Sequence, residues 1–292
     1  MRKVIGVITA RMSSTRLPGK VLKEISGKTN FAHHVERMRL VVGLDDVFLA
    51  TSKNPFNEPL IGEAEKLGCD WYAGAEQDVV ERHIALCERE GADAVIRVTC
   101  DCPLFDIGST TSFVELFKKD YYDFIYVSNL SMLYGTLSEL ISHKALVEVH
   151  NHYRGPAVSI YIRENMQLFK TLGVEIEGDL CRPEYRLTVD EKDDLSLVRH
   201  IYHSLYQGNP LNLKDVYAWL DDNPEIAKIN KNIGIKGINV AAANLMETPL
   251  YSLVQSGNKY VILDGQKKNI EPSEFIRSIA QFFPELRGTH IQ

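Results

Sequence analysis

Directly after the apolar run Val4–Thr9 comes Ala10-Arg11-Met12-Ser13-Ser14-Thr15-Arg16-Leu17-Pro18-Gly19-Lys20, with three cations and three hydroxyls inside ten residues. Forked guanidinium donors and a compact ammonium suit phosphate oxygens, and hydroxyls and folded-loop amides add neutral donors. Placed at a strand end, the set has the chemistry of a triphosphate cradle, with Arg11, Arg16 and Lys20 as charged ligands and Ser13 and Ser14 as hydroxyl donors. An exposed polar loop has the same composition. The loop lacks the Gly-x-x-x-x-Gly-Lys-Ser/Thr of a Walker A segment and the Gly-x-Gly-x-x-Gly of a dinucleotide fingerprint. Two aspartates offer a metal site: Asp101 follows the run Ala94–Thr99, and Asp190 follows Tyr185–Val189. Mg²⁺ takes one or two carboxylates and completes its shell with phosphate oxygens and water, which two strand-end aspartates facing a basic loop would allow. Asp serves equally well at turns and helix N-caps.

The elements that must position these residues are legible in the apolar spacing. Val4–Thr9, Val47–Thr51, Trp71–Ala73, Ala94–Thr99 and Asp123–Ser128 read as strands. Between them Phe31, Val35, Met38 and Val42, then Leu60, Ala64 and Leu67, then Val80, Ile84 and Cys87 fall at helical spacing. Gly68 and Gly91 stand at helix ends. The alternation predicts an α/β fold, a Rossmann-like, mostly parallel sheet with helices on both faces. In such sheets ligands collect beyond the carboxyl ends of the strands. From about 130 to 170 the rhythm breaks, with turn residues at Gly135 and Gly155-Pro156, and an inserted small lobe is expected there. Tyr185–Val189 reads as a returning strand, Leu195, Val198, Tyr202 and Leu205 as a helix, and Leu213–Leu220 and Pro224–Asn230 as two short helices. Gly234 to Gly237 reads as a linker. A domain is thus expected over 1–236, with a C-terminal extension over 237–292. The extension has a strand at Tyr260–Leu263 and a helix bearing Phe275, Ile279 and Phe282, and no role is assigned to it.

Composition narrows the classes. The 292 residues are 45% hydrophobic and 25% charged, values of a folded globular chain. No apolar run approaches the ~18 residues of a membrane-spanning helix, so an integral membrane protein is not expected. The net charge of −6 argues against general nucleic-acid binding. Nine Lys/Arg and two Glu in residues 1–39 make that segment +7 and leave −13 for the rest, a balance that fits a local anion site or a solvated basic face. Cys69, Cys87, Cys100, Cys102 and Cys181 are odd in number and scattered, which implies reduced thiols and a cytoplasmic location rather than a disulfide framework. No second cysteine pair accompanies Cys100-Asp101-Cys102 to complete a zinc site.

The segment Ala10-Arg11 through Ser14-Thr15-Arg16-Leu17-Pro18-Gly19-Lys20 resembles the CMP-sugar synthetases, the acylneuraminate and 3-deoxy-manno-octulosonate cytidylyltransferases, and most of all their spore coat polysaccharide biosynthesis protein F-like branch. The resemblance continues through Ala50-Thr51-Ser52, Gly74 to Arg82, Arg97 to Leu104, Arg186 to Asp190 with Asp194-Leu195, and Asp222 to Ile226 with Asn230, spanning about residues 1–236. It implies the nucleotide-diphospho-sugar transferase type of fold, CTP as substrate, Mg²⁺ on Asp101 and Asp190, and a homodimer. An acceptor hydroxyl would attack the α-phosphate to give a CMP-linked sugar or sugar acid and pyrophosphate, for surface glycan synthesis. It also makes Arg11, Lys20 and Asp101 the catalytic set, brings Ala10 to the nucleotide with the loop residues above, and puts Thr51, Asp78, Arg82 and Thr99 near ribose and base. For the last four, ordinary strand-end polar residues and an exposed helix Arg are the plain reading. No protein nucleophile is expected, and Cys100 and Cys102 read as small buried hydrophobes. The acceptor half departs from the pattern. Cys100 replaces a usual Gly, and Leu133 to Glu139 and Tyr153 to Ser159 replace the stretches relatives commonly carry. That departure leaves open a phosphonate, phosphate or other small acid as acceptor, and a nucleotide-binding regulatory protein without turnover as a different class. His143, His150 and His152 lie in the same lobe as ordinary surface histidines or substrate contacts.

Overall fold

The computed structural model describes residues 2–128, 135–156, 158–176 and 178–233, together with the backbone of 252–256 and 259–263. The chain divides into two compact units, Met1–Lys231 and Asn232–Gln292, where the sequence placed the boundary at 236/237. Along the first unit β1 (Val4–Thr9) leads to a small hairpin, β2 (Glu24–Ile25) and β3 (Lys28–Thr29), then α1 (Asn30–Arg39), β4 (Asp46–Ser52), α2 (Glu58–Lys66) and β5 (Asp70–Gly74). Next come α3 (Val79–Glu90), β6 (Ala94–Thr99), α4 (Ile107–Lys119), β7 (Phe124–Val127), β8 (Glu139–Ser142), α5 (His143–His152) and α6 (Ile160–Glu164). β9 (Thr171–Val174), α7 (Lys192–Leu205), α8 (Leu213–Asp222) and α9 (Pro224–Ala227) complete it.

Seven strands form one sheet in the order β5-β4-β1-β6-β8-β7-β9. Six share a direction, and β8 alone runs against its neighbours β6 and β7. β1 is the centre of the parallel half, paired with β4 on one side and β6 on the other, and its first five residues are fully or almost fully buried. Both faces are covered, as alternation of side chains along a strand requires when neither face meets water. On one face Ile8, Leu49 and Ile96 share a core with Phe31 and Val35 of α1, Leu60 of α2 and Phe113 of α4. The alternate residues Ile5, Val7 and Val95 are fully buried as well, as are Val80 and Leu86 of α3 and Leu146 and Val149 of α5. A separate apolar cluster joins α7 and α8 to Leu17, Leu187 and Val189, so it reaches the basic loop and the approach to Asp190. Among the described residues no helix is long and apolar enough to cross a membrane. In the second unit β10 (Ser252–Ser256) and β11 (Lys259–Leu263) pair antiparallel. The linker at 234–237 and the helix with Phe275, Ile279 and Phe282 lie outside the described residues.

Two expectations change. Part of the stretch assigned to a lobe, β8, lies within the sheet between β6 and β7. Its four residues are too few to show a period, and cross-strand pairing alone makes them a strand. Tyr185–Val189 is not a strand of the sheet. Its Leu187 and Val189 turn into the α7/α8 cluster, and the Val189 amide makes an isolated bond to the Asp101 carbonyl at 2.7 Å. The helix α4 carries Phe113, Val114 and Phe117 on its buried side and was not read from the sequence.

Gly135 shows how closely the approach to Asp190 is packed. Its φ is +96°, and a Cβ there would lie 2.2 Å from the Thr188 nitrogen and 2.3 Å from the Leu187 carbonyl carbon. Gly27, with φ +82°, has nothing within 4 Å of its Cβ position. Gly135→Ala is expected to cost about 2–4 kcal/mol, strain plus displaced backbone, while Gly27→Ala costs about 1 kcal/mol from the backbone alone. Urea unfolding of the two variants against the parent checks the difference.

Candidate active site

The basic loop leaves β1 at its carboxyl end and folds back on itself. The amides of Ser14 and Gly19 both donate to the Met12 carbonyl, at 2.9 and 3.2 Å. The Met12 amide donates to Asn57 Oδ1 at 2.8 Å, and the buried Asn57 amide group in turn donates to the Ser52 carbonyl at 3.1 Å and to Ser52 Oγ at 2.7 Å. Leu17 sits in the α7/α8 cluster. These anchors hold a short loop in place while Arg11 and Arg16 lie at its surface, 47% and 37% exposed. Nothing in the sequence pattern pointed to Asn57.

Lys20 takes a position the sequence did not indicate. Its ammonium donates to Asp190 Oδ1 at 2.9 Å, to the Val189 carbonyl at 2.9 Å and to Asp101 Oδ2 at 3.4 Å. It therefore joins the two aspartates. Arg16 meets Asp190 Oδ1 at 3.0 Å and Arg186 meets Asp190 Oδ2 at 3.3 Å. Burial pushes the Asp101 carboxyl up, but Lys20, the Thr99 hydroxyl and the Cys102 thiol outweigh it and hold the pKa at about 2. Burial lowers the Lys20 pKa, and the Asp101 and Asp190 carboxylates more than reverse it, so the ammonium stays charged.

Supporting residues fix this geometry. Asn30, fully buried at the start of α1, donates to the carbonyls of Lys20 at 3.3 Å and Cys100 at 3.1 Å, joining the basic loop to the Asp101 turn. Asp194 is fully buried and accepts from Arg186 Nε at 2.9 Å, Arg186 Nη2 at 3.1 Å, the Asp190 amide at 3.1 Å, the Glu191 amide at 3.0 Å and Asn230 Nδ2 at 2.9 Å. The whole turn that presents Asp190 is wound around that one carboxylate.

Ten of the twelve site residues read from the sequence line one cleft of about 360 Å³: Ala10, Arg11, Ser13, Ser14, Arg16, Lys20, Arg82, Thr99, Asp101 and Asp190. Thr51 and Asp78 are not brought to it. Thr51 is fully buried within β4. Asp78 is the N-cap of α3, accepting from the Glu81 amide at 3.0 Å, and its other oxygen meets His150 Nε2 at 2.8 Å. Arg82 reaches the cleft and is 1% exposed, so the alternative of an exposed helix arginine does not hold; it donates to the carbonyls of Ala75 at 2.8 Å and Glu76 at 2.7 Å and so shapes the wall. Cys100 is buried in the main core, and the half-buried Cys102 donates its thiol to Asp101 Oδ1 at 3.3 Å. Among the described residues no three His, Cys, Asp or Glu side chains gather as a metal site. The two carboxylates converge on the point that the Lys20 ammonium fills; Mg²⁺ would fit there in place of that ammonium, with the rest of its shell left to phosphate oxygens and water.

The sequence profile of the family described as Cytidylyltransferase matches residues 5–217. The chain belongs to the cytidylyltransferase family. It is accordingly an enzyme of CTP-dependent nucleotidyl transfer. It is 31% identical over 235 residues to an uncharacterised protein of Methanocaldococcus jannaschii, covering 79% of this chain and 96% of that one. It is 26% identical over 237 residues to the spore coat polysaccharide biosynthesis protein SpsF of Bacillus subtilis, covering 78% and 98%. Its fold is that of a cytidylyltransferase from Leptospira borgpetersenii serovar Hardjo-bovis, with a TM-score of 0.73 at 24% identity over 80% of this chain and 99% of that one.

Two measurements test the support of the site in this cytidylyltransferase. Asp194→Ala removes the buried carboxylate that Arg186, Asn230 and two amides share and should cost about 3–5 kcal/mol; in urea the midpoint falls well below that of an Asp193→Ala control. The second concerns His83 and His34, both fully buried. Burial, and for His83 the nearby Arg97, lowers their pKa values to about 3 and about 4. Below the unfolded value near 6.5 the unfolded chain takes up protons that the native state refuses. Stability is therefore full above pH 6.5 and falls as pH drops, by about 1.4 kcal/mol per unit for each group. Denaturant unfolding at pH 7, 6 and 5 should show that slope, and His83→Gln should make it shallower by one proton's worth.

Proposed function

We propose that this cytidylyltransferase transfers CMP from CTP to the hydroxyl of a small acceptor, a sugar acid, with Mg²⁺ bound by Asp101 and Asp190. The observation that carries the reading is the meeting of the basic loop and the two aspartates at one cleft. The acceptor oxygen bonds to the α-phosphorus, the bond to the β-phosphate oxygen breaks, pyrophosphate leaves, and the hydroxyl proton passes to water. Mg²⁺ would neutralise phosphate charge in that exchange. Arg11 and Arg16, half-exposed on an anchored loop, close on the triphosphate, and Ser13 and Ser14 add hydroxyl donors. Lys20 keeps the two carboxylates together and ionised, so that charge and position are set before substrate arrives. No protein nucleophile is required.

Pyrophosphate release is the test, with Mg²⁺, each of CTP, ATP, GTP and UTP, and acceptors comprising 2-keto-3-deoxy sugar acids, neutral sugars and small phosphonates. Release is expected with CTP and one acceptor class, abolished by chelation and lowered about 100-fold or more in Asp101→Asn. Equal rates with another nucleotide would overturn the cytidine assignment. CTP binding with no release from any acceptor would favour a binding protein.

A further inference from the structure

Three charged side chains are packed together where β6 and β8 pair and α6 meets them. Arg97 of β6 and Glu139 of β8 are cross-strand partners, and Arg97 Nη1 donates to Glu139 Oε2 at 3.0 Å. Arg163 of α6 and the Ser159 hydroxyl both donate to Glu139 Oε1, each at 2.8 Å. Two guanidiniums thus share one carboxylate, and the group is left with a net positive charge although Arg97 and Glu139 are only 14% and 15% exposed. His83 adds no charge, since burial and Arg97 keep its ring neutral. Arg97 Nε–H is fully buried and has no hydrogen-bond partner among the described residues. A buried donor left in this way costs about 1–3 kcal/mol, and native structures rarely carry one without a reason. Arg97 also lines the cleft. Nε and Nη2 form one edge of the planar fork, the edge that receives two oxygens of an acid group side by side.

Resting on the reading of the protein as a cytidylyltransferase, we infer that Arg97 is a specificity residue that receives an oxyacid group of the acceptor, a carboxylate or a phosphonate. The triphosphate has its own cations at the loop, so the unbalanced charge over β6 and β8 is available to the second substrate. Glu139, held by Arg163 and Ser159, takes Nη1 and leaves the Nε donor of the guanidinium without a partner. A neutral sugar would leave that donor unsatisfied, which sets acid acceptors apart from their uncharged counterparts.

The test uses the full chain labelled with ¹⁵N-arginine. The Arg97 Nε–H signal is assigned by its loss in Arg97→Lys, a variant that keeps a cation for Glu139 but lacks the two-donor edge. The probes are 3-deoxy-manno-octulosonate and 2-hydroxyethylphosphonate, each beside its methyl ester, added to the CTP-saturated protein. We expect one acid to move the signal and its ester to leave it unmoved; the acid that does so names the class. For an acid that turns over, Arg97→Lys should raise its KM about tenfold or more and leave the CTP Kd unchanged. A shift of the signal by CTP alone would overturn the inference and leave cytidylyl transfer standing. So would an ester used as well as its acid, or a lack of response to both acids at 10 mM. Failure of the parent protein to bind CTP would instead overturn the functional reading, and it is measured separately.

Discussion

The placement of one ammonium decides the rest of the site. Lys20 stands between Asp101 and Asp190, two carboxylates 89 residues apart in the chain, and without a cation there they would repel each other in a half-buried setting. The lysine comes from the basic loop, so the same contact also fixes where that loop ends. Loop, β6 turn and α7 approach are thereby one electrostatic unit, and the cleft lies where they meet.

That unit is held from behind by groups that do no chemistry. Asn30 fastens the carbonyls of Lys20 and Cys100. Asp194 gathers Arg186, Asn230 and the amides of the Asp190 turn. Asn230 also donates to the Arg186 carbonyl at 2.9 Å, so the far end of the first unit is tied to the site. Gly135 lets the Leu187–Thr188 backbone pass close by. The loop itself keeps Arg11 and Arg16 exposed, in keeping with ligands that meet substrate, while its backbone is anchored by Asn57 and Leu17.

The two halves of the cleft differ in kind. On the β4 and β5 side the wall is backbone shaped by Arg82, a buried arginine whose Nε and Nη2 donate to carbonyls. On the β6 and β8 side the charged group of Arg97, Glu139 and Arg163 keeps one donor unused. The reversal of β8 is what brings Glu139 beside Arg97, so the odd strand of the sheet is also the strand that gives the second half of the cleft its charge.

The sequence by itself determined the parallel half of the fold and the identity of the chemistry-bearing loop. Buried strands and amphipathic helices write their period into the chain, and a dense run of cations and hydroxyls after a strand is a local signal, as is an aspartate that ends one. The roles of Thr51, Asp78 and Arg82 were not local. Whether a polar residue at a strand end faces a cleft, caps a helix or disappears into the core depends on which neighbour reaches it first: Glu81 and His150 for Asp78, and the carbonyls of Ala75 and Glu76 for Arg82. β8, the path to Asp190 and the position of Lys20 likewise follow from partners distant in sequence. Hydrogen bonds and ion pairs across 81 and 170 residues leave no spacing to read, and only the folded chain brings them within bonding distance.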